Sequence, residues 1–393
     1  MVTRMRRVSK IDPYELYLAS SITEFSADEW NALAGEEVIP FLEWEWLEAL
    51  ETSGSISPGT GWYPFHLALR KGGTLVAAAP LYVKNHSDGE FIWDYFWAEA
   101  AGALDRPWYP KLVGAVPATP ALGYCFLCAP GEDASSGILL DAVNELCRAN
   151  DIRGIHFLFT NPLWARDNMV SRGYSGWEHS RFEWTNDGYA SFGDYLLSFT
   201  KNQRKNIRKE YERPAKEGII TGIVENPPAF YFSLMYDLYR ITNDKFIPWD
   251  ARWVNEAFFL RLAQTFSRRI VFSQARYSGQ EPFALAMMIR KGKKIWGRYW
   301  GTYQDVKDLH FALCYYIPID YCIREGIVSF DPGIGSPHKI RRGFRACFDT
   351  SYHHFFDPAL DRFFGSNVAT VNQHEQNNIA LLNSRLPFKD PRE

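Results

Sequence analysis

The sequence predicts an α/β (α+β) protein in which one unit occurs twice, each copy a mixed, mostly antiparallel sheet flanked by helices. Three observations carry this. The chain has 393 residues, beyond the ~250–300 at which a single hydrophobic core stops growing. Its 46% hydrophobic and 23% charged residues suit a sizeable interior better than disorder. A weak internal repeat then organises the chain. HLALRKGGTLVAAAPLYVKNHSDGEFIWDYFW, from His66 to Trp97, is echoed by VFSQARYSGQEPFALAMMIRKGKKIWGRYW, from Val271 to Trp300.

Each copy reads as a strand, a glycine-bearing turn, a second strand ending in a basic residue, another turn, and an aromatic strand. The turns are Lys71-Gly72-Gly73 and Ser87-Asp88-Gly89 in the first copy, Ser278-Gly279-Gln280 and Lys291-Gly292-Lys293 in the second. These compositions suit hairpins. Helical sequence precedes each copy, at Phe41–Glu51 and at Pro227–Arg240 with Trp253–Phe266. A helix and a strand follow, in ILLDAVNELCRANDIRGIHFLF and in ALCYYIPIDYCIREGIVSF, where Pro318 is expected to kink or end the helix. A boundary near residue 180 separates an N-terminal domain, 1–180, from a C-terminal one, 181–365. Residues 366–393 read as a polar tail.

Composition excludes several classes. The net charge of −3 gives no global field for nucleic acid or an anionic membrane, so such a partner needs a local patch. The basic opening runs into Asp12, Pro13 and Glu15 rather than an apolar stretch, so it is not read as a signal peptide. No run approaches the ~20 apolar residues of a membrane-spanning helix. A cytoplasmic location is expected. The six cysteines are scattered in apolar surroundings as reduced thiols, and Cys125-Phe-Leu-Cys128 lacks a second ligand pair for zinc. No metal and no tightly bound cofactor is expected. Nucleophile-elbow, zinc-protease, P-loop and dinucleotide motifs are all missing.

Two segments carry chemistry. Lys201–Lys216 holds seven Lys and Arg against only Glu210 and Glu212. As a helix, following one that Ser191-Phe-Gly-Asp194 caps, it places Lys201, Arg204, Lys205 and Arg208 on one face, with Ile207 and Tyr211 buried. That face suits a phosphate-rich ligand, and equally a solvated surface. Phe330–Phe344, FDPGIGSPHKIRRGF, combines Asp331, glycines, His338, Lys339, Arg341 and Arg342. Its glycines permit close backbone approach and its cations suit an oxyanion.

The blocks Gly61-Trp62, Ala79–Lys84, Tyr109–Leu112 and Val116–Pro120, with Arg204–Glu210, Gly297–Gly301, Leu309–Tyr316 and His338–Phe344, resemble the FemAB-like family of predicted N-acyltransferases over nearly the whole chain. The resemblance implies tandem GNAT-like (acyl-CoA N-acyltransferase) domains. It also implies transfer of an acyl or aminoacyl group, from acyl-CoA or aminoacyl-tRNA, to a primary amine on a small molecule, peptide or peptidoglycan precursor. In that fold the donor site lies where GRYWG gives way to a helix near Asp308, whose free N–H groups suit pyrophosphate. Gln304–Leu309 lacks the glycines of the usual acyl-CoA loop, which weakens that donor.

On this reading Arg204, Lys205, Arg208 and Arg341 are the donor-binding candidates. Asp331, His338, Lys339 and Arg298 are the catalytic ones, with Asp331 or His338 as base and Lys339 or Arg298 beside the oxyanion. The resemblance gives Lys339 a donor-holding role, although His338 stands where relatives carry Phe. Strand alternation puts Trp296, Arg298 and Trp300 on one side. The alternative function is a non-catalytic peptide- or glycan-binding protein on the same fold. Oligomeric state is not legible.

Overall fold

The computed structural model describes residues 5–246, 252–335 and 337–389, and the chain forms two compact units. Unit 1 is Met1–His179 with Asp349–Glu375, and unit 2 is Ser180–Phe348 with Gln376–Glu393. The basic opening 1–4 and the last residues of the polar terminus, 390–393, lie outside the described residues.

Unit 1 runs β1 (Arg6–Ile11), β2 (Tyr14–Ala19), α1 (Ala27–Leu33), α2 (Trp44–Thr52), β3 (Trp62–Pro64), β4 (His66–Lys71), β5 (Thr74–Ala79) and β6 (Leu81–Lys84). It continues with α3 (Tyr95–Ala103), β7 (Lys111–Gly114), β8 (Leu127–Cys128), α4 (Ser135–Ala149), β9 (Gly154–Phe157) and α5 (Pro162–Asn168). Gly72 and Gly73, at φ +58° and +84°, make the two-residue turn that joins Lys71 to Thr74. Pro80 separates β5 from β6, and with it two ladders: β5 pairs with β4 and β8, β6 with β3 and β7. β7 and β9 lie parallel, and residues 352–355 pair antiparallel with β9.

The aromatic strand expected at Phe91–Trp97 is not formed. Residues 95–103 are helix α3, because the run continues into an alanine-rich stretch of high helix propensity that buries only Trp97 and Ala101, one turn apart. The third strand of this copy comes later, as β7.

Unit 2 runs β10 (Ser175–Thr185), α6 (Phe192–Leu197), α7 (Lys201–Lys216), β11 (Ile220–Glu225), α8 (Phe230–Asn243) and α9 (Glu256–Thr265). The meander β12 (Ile270–Arg276), β13 (Ala284–Lys291) and β14 (Lys294–Thr302) follows, with all three strands where the repeat places them. β13 is buried along nearly its whole length, as a central strand covered on both faces must be. Next come α10 (Leu309–Phe311), a π turn at Ala312–Tyr316, α11 (Ile317–Arg324) and β15 (Ser329–Asp331); β16 (Arg345–Phe355) and α12 (Pro358–Asn383), like β10, contribute residues to both units. The strand order is β11-β12-β13-β14-β15-β10, with β15 parallel to β14.

Pro318 does not end its helix. It has no N–H for the Leu313 carbonyl, five residues back in the π register, and the buried Ser273 hydroxyl on β12 takes that oxygen at 2.5 Å. The helix therefore runs on to Arg324. The polar sequence expected as a tail is likewise helical, as the later part of α12. Its polar residues face out while Leu360, Phe364, Val368, Ile379 and Leu382 are buried.

Candidate functional site

α7 has three faces. Ile207 and Pro214 are buried, and Tyr211 packs on Phe192 at 4.7 Å between ring centroids. The outer face presents Lys205, Arg208, Lys209 and Lys216, with Asn202, Asn206 and Glu212, to an open trough of about 860 Å³. On the inner face Gln203, Asn206 and Glu210 form one wall of a cavity of about 300 Å³. Phe311, His338, Arg341 and Arg342 form the other.

Glu210 ties these walls together. Its Oε2 accepts from Arg342 Nη2 at 2.9 Å and from the Tyr316 hydroxyl. Arg342 also donates from Nη1 to the His338 carbonyl at 2.9 Å, and its guanidinium carbon lies 3.4 Å from the Phe311 ring centroid. Planar stacking and a carboxylate partner suit Arg better than Lys. Gln203 Nε2 donates to the Arg341 carbonyl at 2.6 Å, fixing the other end of the turn.

Gly343 is obligatory next to this turn. At φ +84° its Cβ would stand 2.3 Å from the Tyr195 hydroxyl, which donates to the Arg342 carbonyl.

His338 is half-buried, with Nε2 3.0 Å from the Tyr315 hydroxyl. Burial, reinforced by Arg342 and Lys339, pulls its pKa down to about 4, so the ring is neutral at physiological pH. His310, 6.2 Å away between ring centroids, is also pulled down to about 4, by burial and then by His338, Arg342 and Lys339.

Lys339 is only 1% exposed and donates to the Gly333 carbonyl at 2.6 Å. Burial lowers its pKa to about 8 against the opposing pull of Asp331. Asp331 accepts from the Gly333 N–H at 2.8 Å, and burial pushes its carboxyl upward against Arg181, that N–H and Lys339. These two residues shape the loop that carries His338. Neither belongs to the cavity lining.

Arg298 sits elsewhere. The β13–β14 register pairs Met287 with Tyr299 but Met288 with Gly297, so Arg298 is the extra residue of a β-bulge. The bulge reverses the alternation: Trp296 opposite Ile289 and Trp300 opposite Ala286 fall on different faces, correcting the expectation that both share one side with Arg298. Arg298 lies over the Tyr299 ring at 5.5 Å.

The helix start at Asp308 also differs from a bare phosphate cradle. Asp308, at φ 65°, takes Arg213 Nε on its Oδ2 at 2.6 Å, which puts a carboxylate at the place proposed for pyrophosphate.

The structure thus brings His338 and Arg341 together in one lining and puts Lys205 and Arg208 on the adjoining trough. Sequence reasoning passed over Glu210, Phe311 and Tyr315, and left Arg342 out of the named candidates. Glu210 carried one legible signal: a carboxylate in a basic helix, three residues after the buried Ile207. Among the described residues, no group of three or more His, Cys, Asp or Glu could hold a metal. The six cysteines are unpaired, and burial pushes Cys125 up to about 12 and Cys128 up to about 11.

A family model described as FemAB-like, peptidoglycan biosynthesis/recognition, matches residues 21–390. The chain belongs to the FemAB-like family. Among solved structures it is similar to FemX, with 12% identity, a TM-score of 0.53, and coverage of 87% of this chain and 98% of that one. It is also similar to a conserved protein of unknown function from Bacteroides thetaiotaomicron, with 7% identity, a TM-score of 0.50, and coverage of 86% and 98%. A tandem GNAT protein from the clavulanic acid biosynthesis pathway aligns with 10% identity, a TM-score of 0.44, and coverage of 88% and 99%. No curated protein matches. At such identities the likeness bears on the fold alone. The mixed α+β architecture of mostly antiparallel sheets flanked by helices, expected from the sequence, is the one observed. Among the described residues of this FemAB-like chain, no helix is long and apolar enough to cross a membrane.

Proposed function

We propose that this FemAB-like protein is an N-acyltransferase that moves an acyl or aminoacyl group from an activated donor onto a primary amine, with His338 as proton acceptor. One observation carries the reading: a neutral imidazole lines a polar cavity that adjoins, through Asn206, a trough rich in lysine and arginine. The amine nitrogen attacks the donor's carbonyl carbon. A C–N bond forms, the ester C–O or thioester C–S bond breaks, His338 takes the ammonium proton, and the leaving group departs protonated. The trough holds the donor's phosphates through Lys205 and Arg208, with Arg204 on the same helix. Its open volume and its four cations favour aminoacyl-tRNA. The Asp308 carboxylate and the glycine-free 303–308 loop disfavour acyl-CoA. Asp331 and Lys339 act through the loop they shape. The family's link to peptidoglycan makes a precursor or its peptide the first acceptor to try.

The test is to supply charged tRNA and acetyl-CoA with a panel of primary amines and follow amine-dependent loss of the acyl group. His338→Ala should lower kcat by roughly 10²–10⁴-fold with donor affinity unchanged. Unchanged turnover removes His338 from the chemistry. Saturable amine binding without turnover across the panel supports the non-catalytic binding protein instead.

A further inference from the structure

The inner cavity has features that the transfer chemistry does not call for. Arg342 is 5% exposed, yet only two of its five N–H groups have the partners already named, and Nε has none among the described residues. A buried guanidinium is expected to use its donors. Its plane is fixed by Phe311 beneath it and by Glu210 at its edge, so no reorganisation is needed when a ligand arrives. The lining sets two guanidiniums against one carboxylate, with His338 neutral, which leaves it positive. Gln203 and Asn206 add amides that can donate. At about 300 Å³ the cavity stands at the small end of ligand sites, enough for an amino-acid-sized group and too small for a polymer.

We propose that this cavity recognises a small oxyanion, a carboxylate or a phosphate, with Arg342 as the principal binding group and Arg341 beside it. The donor's phosphates already have the outer trough, and His338 lines the inner cavity, so the oxyanion belongs to the acceptor and sits beside the amine to be acylated. That last assignment rests on the transferase reading; the binding itself does not. It narrows the acceptor to amines that carry an acidic group within an amino acid's length.

Titration calorimetry on the full chain, with no acyl donor present, separates the two. The probes are N-acetylglycine, acetate and inorganic phosphate, and the one that binds tells carboxylate from phosphate. Arg342→Lys should weaken that probe at least tenfold, because one ammonium cannot reproduce the fixed fork. Glu210→Gln should act in the opposite direction and tighten it several-fold, since the amide oxygen can still accept from the guanidinium and hold its plane while the opposing negative charge is removed. A merely structural role for the pair weakens binding in both variants, and that outcome overturns the proposal. So does the absence of binding by all three probes at millimolar concentration. Loss of binding in Lys205→Ala/Arg208→Ala with retention in Arg342→Lys would move the anion to the trough and overturn it too. If the transferase assay fails while these titrations hold, the oxyanion site stands without the enzyme.

Discussion

Beside the parallel strands β7 and β9 of unit 1 lie aromatic rings, whereas the segments that leave the parallel strands β14 and β15 of unit 2 bring arginines and a histidine to a cavity. In unit 1 a Cβ at Gly114 would stand 2.4 Å from Phe157 and 2.7 Å from the Tyr124 hydroxyl, so that space is filled. Tyr124, Phe126, Phe157 and Trp164 pack there, with ring centroids 5.0–6.4 Å apart. Unit 1 does carry charge, but buried and paired within itself. Lys111, wholly buried, donates to Ser87 at 2.7 Å, Glu90 at 2.8 Å and Asp94 at 2.7 Å. Lys84, equally buried, sits 3.4 Å from the Trp62 ring centroid and 3.5 Å from Glu90. The two units thus put their ions to different uses: closed on one another in unit 1, left with donors to spare in unit 2.

The most damaging way to probe this contrast is to remove one buried lysine from each unit. Lys111→Ala leaves Asp94 buried without its cation and Glu90 with only the more distant Lys84, and should cost about 3–5 kcal/mol in urea unfolding. Lys339→Ala removes one hydrogen bond to a backbone carbonyl and a looser attraction to Asp331, and should cost about 1–3 kcal/mol. If the two are equal or reversed, the unit 1 lysine is not the anchor that its three short hydrogen bonds imply.

A smaller effect separates the two faces of α7. Lys205→Ala/Arg208→Ala should leave stability within about 0.5 kcal/mol of the parent. The same change should weaken binding of tRNA and lower the slope of log affinity against log salt by about two, one for each phosphate no longer neutralised. Measured at three ionic strengths, an unchanged slope would show that the trough is a solvated helix face.

These contrasts were only partly visible in the sequence. Period and turn chemistry located β12, β13 and β14, because Gly279 and Gly292 punctuate alternating apolar runs. The same pattern misled at Phe91–Trp97, where aromatics alone mimic a strand and the deciding signal was the alanine run beyond them. The β-bulge at Arg298 is a matter of register with β13, which no reading of one strand can show. Glu210 and Arg342 are 132 positions apart, and their meeting depends on how α7 packs against the helix after β14. Charge counting found the basic helix, since that information is local. It could not tell the face turned to solvent from the face that closes a cavity.

The smallest predicted effect concerns acid, and it distinguishes the histidines of the two units. In unit 1, His156 and His353 face each other, Nδ1 to Nδ1 at 2.7 Å, and burial holds both well below the ordinary value. In unit 2, His310 and His338 are held at about 4. A histidine whose folded pKa is depressed contributes stability that is complete above its unfolded value, near 6.5. That contribution is lost as pH falls through the folded value, because the unfolded chain binds the proton first. Stability should therefore decline from about pH 6.5 downward, with His310→Gln making the fall shallower. The difference lies in how each ring is protonated. His338 lines a cavity and should titrate reversibly in the native protein near pH 4, seen as a shift of its ring C–H resonances with Arg342 and Lys339 as the opposing charges. His156 and His353 have no exposed edge, so their resonances should hold still until the protein unfolds. A native-state titration of His353 would mean that unit 1 admits water where the aromatic packing closes it.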